Sequence, residues 1–187
     1  MDSLTPAVSE PPSHSGNQAP VAWRWSRFDE LSPRELYAIL QLRQLVFVVE
    51  QSCPYLDADG FDQGAWHLRG WTSAPSGGEV LAACVRILPP GLKYLEPSIG
   101  RVVTHPQQRG TGLGKELMRE ALRRVEMIAP GASVRIGAQR YLQRFYEELG
   151  FRIASDPYDE DGIPHVEMLR SEGNEAASCS TSPGTEA

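Results

Sequence analysis

The 187 residues include only three cysteines, Cys53, Cys84 and Cys179, with no CxxC spacing and an odd one left over. That argues against a disulfide framework and for reduced thiols, hence a cytoplasmic chain. Long apolar runs are also missing: none approaches the roughly 18 residues of a membrane span. The first residues lack the basic start and apolar stretch of a secretory leader. Basic charge is scarce. The net charge is -6, of which residues 1–20 carry -2 and residues 171–187 carry -3, so 21–170 is nearly neutral. Without a basic surplus, neither a nucleic-acid footprint nor a membrane-surface partner is expected. His67, His105 and His165 share no ligand-like spacing, so no metal is expected.

What is there divides into three parts. "MDSLTPAVSEPPSHSGNQAP" (1–20) and "SEGNEAASCSTSPGTEA" (171–187) are rich in Ser, Pro, Gly and Glu and read as disordered tails. Between them the elements alternate. "VAWRWSRF" reads as a strand. Residues 32–50 read as a helix opening on Ser32 as N-cap, Pro33 at the first position and Glu35 three residues after the cap. "AWHLRGW" and "EVLAACVRIL" form two strands across a Gly/Pro/Ser turn, and "SIGRVVTH" is another. "GTGLGKELMREALRRVEMI" is a helix with Leu113, Leu117, Ala121 and Val125 on one stripe. "ASVRIGA" is a strand, "RYLQRFYEELG" a short helix stopped by Gly150, and "FRIA" and "PHVEMLR" are closing strands. Such alternation implies one mixed α/β domain over 21–170.

One stretch carries chemistry. "QQRGTGLGKELM" places Gly110, Gly112 and Gly114 between a strand and a helix start. The first N–H groups of a helix lack internal partners and face outward at its positive end, and glycine lets a phosphate approach them. A P-loop would need GxxxxGK[ST], but position 109 is Arg and 116 is Glu. The dinucleotide fingerprint GxGxxG fails on spacing. The pattern that fits is [QR]xxGxG, over Gln107 to Gly112.

Together with "LQRFYEELGF" 30 residues on, this loop resembles the GNAT superfamily of acyl-CoA N-acyltransferases. "LRQLVFVVEQSCPYLDADGFD", "IGRVVTHPQQRGTGLGKELM", "GAQRYLQRFYEELGF" and "EDGIPHVEM" resemble its ElaA-type branch. The resemblance spans about residues 24–170. It implies a mixed, mostly antiparallel central sheet flanked by helices, with acetyl-CoA as cosubstrate and direct transfer of its acetyl group to a primary amine. It also implies that Gln108, Arg109, Gly110, Thr111, Gly112, Leu113, Gly114 and Lys115 hold the pyrophosphate. By the same analogy Val102, Val103 and Thr104 supply a backbone donor to the thioester oxygen, and Gln139 contacts the cofactor where many relatives have Asn. Tyr146 stands where the family often carries the general acid for the departing thiolate, and Glu96 stands near its strand base. GNAT proteins are often dimers, so a homodimer is the expected assembly.

The acceptor side is less determined. Arg43 and Glu50 fall on or beside the apolar stripe of the first helix, where a charge needs a partner. Either they form a structural ion pair, or Glu50 helps shape an acidic acceptor pocket. His67 and His165 join Arg43 and Glu50 as pocket candidates and join Glu96 as alternative bases. "DADGFD" fails as a calcium loop: counted from Asp57, position six is Asp62 and position twelve is Leu68. Asp57, Asp59 and Asp62 are therefore turn-forming residues or line the substrate mouth. Two other functions stay open at this point. One is an acyl-homoserine-lactone-synthase-like acyltransferase, which "RxxVFVxEQ" followed by "DxDxxD" resembles; the other is a non-catalytic CoA-binding protein.

Overall fold

The computed structural model describes residues 20–74 and 77–171. The two expected tails, and Cys179 with them, fall almost wholly outside the described residues. The capping box read from the sequence is formed: Ser32 Oγ accepts the Glu35 N–H at 3.3 Å, and the Glu35 carboxylate accepts the Ser32 N–H at 3.0 Å. It starts α1 (Pro33–Arg43). The helix then widens into a π-helical segment, Gln44–Glu50, in which the Gln51 N–H reaches back five residues to Val46 at 3.1 Å. That extra residue per turn carries the chain out toward residues 51–62.

The strands are β1 (Ala22–Arg27), β2 (Trp66–Ser73), β3 (Glu79–Leu88), β4 (Ser98–Thr104), β5 (Val134–Gln139), β6 (Arg152–Ile153), β7 (Tyr158–Glu160) and β8 (Ile163–Arg170). They form one sheet in the order β1-β2-β3-β4-β5-β8-β6, with β7 also on β8. Neighbours pair antiparallel except β4 and β5. The mixed, mostly antiparallel sheet flanked by helices is the one the resemblance implied. β7 was not foreseen, because its three residues lie in an acidic run that carries no apolar alternation.

Two helices cover opposite faces. α2 (Leu113–Ile128) buries Leu113, Leu117, Ala121 and Val125 against Leu68, Val85 and Ile99. α1 buries Ile39 and Leu42 against Trp71, Cys84 and Val103. Adjacent Cys84 and Val85 thus face opposite sides, as strand geometry requires. Ile99 and Val103, four apart on β4, should share a face and do not. A one-residue bulge explains this. Cys84 opposes Val103 while Arg86 opposes Gly100, so β4 carries one residue more than β3 across that interval.

β4 and β5 meet in register only at Ser98 and Arg135, supported by Arg135 N–H to Pro97 O at 3.0 Å. Past that point no further pair joins them among the described residues, and the strands part. The chemistry-bearing side chains collect in the opening.

Candidate active site

A cavity of about 140 Å³ fills the opening, with Gly100, Arg101 and Val102 of β4 on one wall and Gly137 and Gln139 of β5 on the other. α3 (Gln143–Glu147) contributes Tyr146, and β8 contributes His165. A larger hollow of about 800 Å³ lies under α1, but none of the sequence-derived candidates lines it. The smaller cavity is therefore the better site.

The bulge shapes the donor wall. Arg101 holds φ at +53°, the left-handed region that costs a non-glycine residue about 1–2 kcal/mol. A bulge leaves one residue without a ladder partner, and here the interval holds Arg101 and Val102 beside the cavity. Of the three residues expected to serve the thioester oxygen, Val102 lines the cavity. Val103 is buried beneath α1 and Thr104 lies toward α2, within 4.0 Å of a side chain built at Gly114.

The glycine loop follows β4 through a 3-10 turn, Pro106–Gln108. Gly110 and Gly112 adopt φ of +75° and +86°, and a Cβ at either would meet nothing within 4 Å. Backbone conformation demands them, and the space above them is open. Gly114 is different: its φ is ordinary and a Cβ would touch Phe145 at 3.8 Å. Thr111 Oγ donates to Gln108 O at 2.8 Å and accepts the Leu113 N–H at 3.4 Å, which stiffens the loop. Gly112 caps the sixteen-residue α2 with no side-chain cap. Its exposed amide end suits an anion. Gln108, Thr111 and Leu113 line a shallow depression there. The two loop cations are each held by an acid: Arg109 pairs with Glu50 at 2.6 and 3.0 Å, and Lys115 with Glu148 at 2.6 Å.

Tyr146 is 6% exposed and sits edge-on to both Phe145 (5.0 Å) and Phe151 (6.0 Å). Burial pushes its phenol up, with a smaller push from Tyr141, so it is protonated at neutral pH. Among the described residues no group hydrogen-bonds its hydroxyl. Gln139 exchanges amide hydrogen bonds with Gln51 at 3.2 and 3.4 Å, joining β5 to the end of the π-helical segment. His165 lies opposite Gln139 on one side and Tyr158 on the other. Its Nδ1 is 2.8 Å from Ile163 O. A carbonyl can only accept, so Nδ1 carries the proton and the neutral ring presents Nε2 as its basic atom. Glu160 lies 4.0 Å from that Nε2.

Several candidates stand elsewhere. Arg43, 1% exposed, binds Asp57 and Asp62 at 2.7 Å each. Arg86 binds both oxygens of Asp59 at 2.6 and 2.7 Å, and Arg101 reaches Asp57 at 2.7 Å and Asp59 at 3.0 Å. The three aspartates are neither turn-formers alone nor a substrate mouth; they tie residues 51–62 to β3 and to the bulge. A signal for this was Arg86 in the otherwise apolar "LAACVRIL". His67 is 2% exposed with Nε2 3.1 Å from Asp62 O, and burial pushes its imidazole down despite the Asp62 carboxylate. Arg43 and His67 are therefore structural and do not line the cavity. Glu50 does not line it either, its carboxylate being taken by Arg109. Glu96 also stands apart. It lies in the loop before β4, where hydrogen bonds from Arg135 at 2.7 and 3.1 Å hold its carboxyl below the usual range and weaken it as a base. Among the described residues no group of His, Cys, Asp and Glu is arranged to hold a metal ion. No helix there is long and apolar enough to cross a membrane.

Comparison with known proteins agrees with this geometry. Residues 91–171 match the family model described as "Acetyltransferase (GNAT) domain". The chain is 42% identical over 153 residues to Protein ElaA of Escherichia coli, covering 80% of this chain and 96% of that one. The crystal structure of that protein superposes with a TM-score of 0.74, over 81% of this chain and all of the other. An acyl-CoA N-acyltransferase from Pseudomonas aeruginosa gives 0.75 at 40% identity and the same coverage. A Bacillus subtilis acetyltransferase solved in complex with CoA shares the fold, with a TM-score of 0.56 at 17% identity.

Proposed function

Because the chain belongs to the GNAT acetyltransferase family, in its ElaA-type branch, we propose that it moves the acetyl group of acetyl-CoA to a primary amine by direct attack in a ternary complex. The observation that carries this reading is the convergence of three unlike groups on one cavity. They are the bulged Val102 segment of β4, the unpartnered Tyr146 hydroxyl and the basic Nε2 of His165.

Each group has one task. The N–H groups at Gly110 to Gly114 and the start of α2 receive the pyrophosphate, where left-handed glycines leave open space. Arg109 and Lys115 add charge there by exchanging their acid partners for phosphate oxygens. The backbone of Val102 faces the thioester oxygen as it gains negative charge, and a fixed N–H donor stabilises charge that develops there. His165 Nε2 takes a proton from the incoming ammonium, freeing the lone pair for attack. The new N–C bond forms as the C–S bond breaks; the sulfur takes the Tyr146 hydroxyl proton as it departs, and the proton released by the newly acylated nitrogen restores the phenol. Gln139, braced by Gln51, fixes the far wall.

Glu96 was the first candidate for the base; its Arg135 partner and its place outside the cavity favour His165 instead. The His165→Gln variant tests the assignment. It is expected to lower kcat/KM by about 10²-fold with little change in the KM for acetyl-CoA. Unchanged kcat/KM would move the base elsewhere.

A further inference from the structure

The charges on the cavity wall do not balance, and their imbalance bears on the acceptor. Arg86 and Arg101 line the cavity but belong, with Arg43, to a cluster in which three guanidiniums face Asp57, Asp59 and Asp62 and the charges close at zero. The remaining ionised wall residues are Glu160, Asp161 and Lys93. Glu160 and Asp161 come from the β7–β8 turn, and among the described residues neither is within ion-pair distance of a Lys or Arg. Asp161 is anchored by its backbone: φ is +54° and its carbonyl accepts the Cys53 Sγ–H at 3.3 Å, which leaves the carboxylate unengaged. Lys93 is exposed at the rim, 5.2 Å over the Tyr94 ring.

Aromatic rings surround the same end. A Cβ at Gly137 would lie 3.0 Å from the Tyr158 hydroxyl and 4.0 Å from that of Tyr94, so both phenols converge over β5. Burial, then the fields of Glu167, Tyr158 and Glu160, push Tyr94 up to about 12. Tyr158 is pushed up by burial and by Glu160 and Glu167. Both phenols are raised first by burial, with Glu160 and Glu167 adding to each. The acidic turn does not stand alone as a ligand site: the Tyr146 side chain, 6% exposed and with no hydrogen-bond partner for its hydroxyl among the described residues, lines the same cavity.

One reacting ammonium needs one counter-charge, and the wall offers two carboxylates, Glu160 beside His165 and Asp161 at the turn. We propose that the acceptor is a dication, a linear diamine or polyamine whose second ammonium meets Asp161 while the first meets Glu160 and His165. This rests on the amine-acetyltransfer reading and adds the substrate class to it.

Three acceptors that differ only at the far end of a five-carbon chain provide the test: 1,5-diaminopentane, hexylamine and 6-aminohexanoate. Each is incubated with the full chain and acetyl-CoA, and thiol release is followed. The expected order of kcat/KM is diamine, then alkylamine, then amino acid, with about tenfold per step. The diamine's advantage shrinks with rising ionic strength. Asp161→Asn is expected to cut the ratio of diamine to alkylamine by about threefold or more while the KM for acetyl-CoA stays unchanged. Equal rates for all three keep the transferase reading and overturn the dication. Preference for 6-aminohexanoate also overturns it and assigns Lys93 as a carboxylate anchor. Turnover of none of the three, with acetyl-CoA bound, overturns the dication and leaves the transferase reading to the broader amine panel.

Discussion

Tyr146 and Gly112 show how a single residue answers to its surroundings. Burial keeps the Tyr146 phenol protonated, and a proton donor must be protonated when the thiolate leaves. Tyr146→Phe keeps the ring between Phe145 and Phe151 and removes only the hydroxyl. It is expected to lower kcat by about 10²-fold with little change in the KM for acetyl-CoA. Unchanged turnover would remove Tyr146 from the reaction. At Gly112, with φ of +86°, an alanine meets no atom but pays the left-handed strain of about 1–2 kcal/mol. Gly112→Ala should weaken acetyl-CoA binding by about tenfold, read by calorimetry, and lower the melting temperature by roughly 2–8 °C. Gly114→Ala, whose φ is ordinary, should have the smaller effect. Residues of this kind were legible in the sequence because their signal is local: a glycine spacing, or a tyrosine in "RFYEELGF". His165 was legible only as one candidate among several, since its tautomer depends on the Ile163 carbonyl and its neighbours on strand pairing.

At the scale of elements, the important event is the bulge in β4 and what holds it. Arg101 accepts left-handed backbone because its guanidinium is fixed by Asp57 and Asp59, which Arg43 and Arg86 hold in turn. Removing one partner from a buried pair leaves a charge without compensation, at a cost of about 3–5 kcal/mol. Asp57→Ala is therefore expected to lower stability by that amount in denaturant unfolding. A wild-type unfolding midpoint would show that the cluster does not bear on the fold. Little of this was legible beforehand beyond Arg43 on an apolar stripe and Arg86 in an apolar run, each needing a partner. The participants lie at 43, 57, 59, 62, 86 and 101, and no short-range period links them. The β4 register shift is equally invisible, because a bulge is a relation between two strands. The π-helical segment was read as plain helix for the same reason: its widened turn depends on where residues 51–62 must go.

For the whole molecule, one sheet with α1 and α2 on opposite faces leaves the β4–β5 gap as the place where the proposed transfer would bring donor and acceptor together. The resemblance implied the sheet with flanking helices in advance; apolar stripes and capping gave a mixed α/β domain, the Ser32 box and the Leu113-to-Val125 face. Acid stability is a property of the molecule as a whole. Burial alone would raise Asp59, but the Arg86 hydrogen bonds and charge outweigh it and hold its carboxyl at about 2, against 3.8 for the free group. Asp62 is likewise lowered against its burial by Arg43. His67 is pushed below 6.5 by burial. In each case the unfolded chain binds more protons than the native one, so stability falls as pH falls. Thermal unfolding at stepped pH should show a first loss on going below about 6.5 and a second between about 4 and 2. A stability curve flat from pH 7 to 3 would contradict the buried cluster.

The central claim is that one cavity joins acetyl-CoA to an amine in a single transfer. The direct measurement is free thiol produced from acetyl-CoA against a panel of primary amines, with the acetylated product identified by mass spectrometry. The account predicts thiol release that requires enzyme and amine together, saturates in both, and yields one acetyl amide per thiol. Tight acetyl-CoA binding with no thiol release across the panel would contradict it, as would an acetylated enzyme formed in the absence of amine.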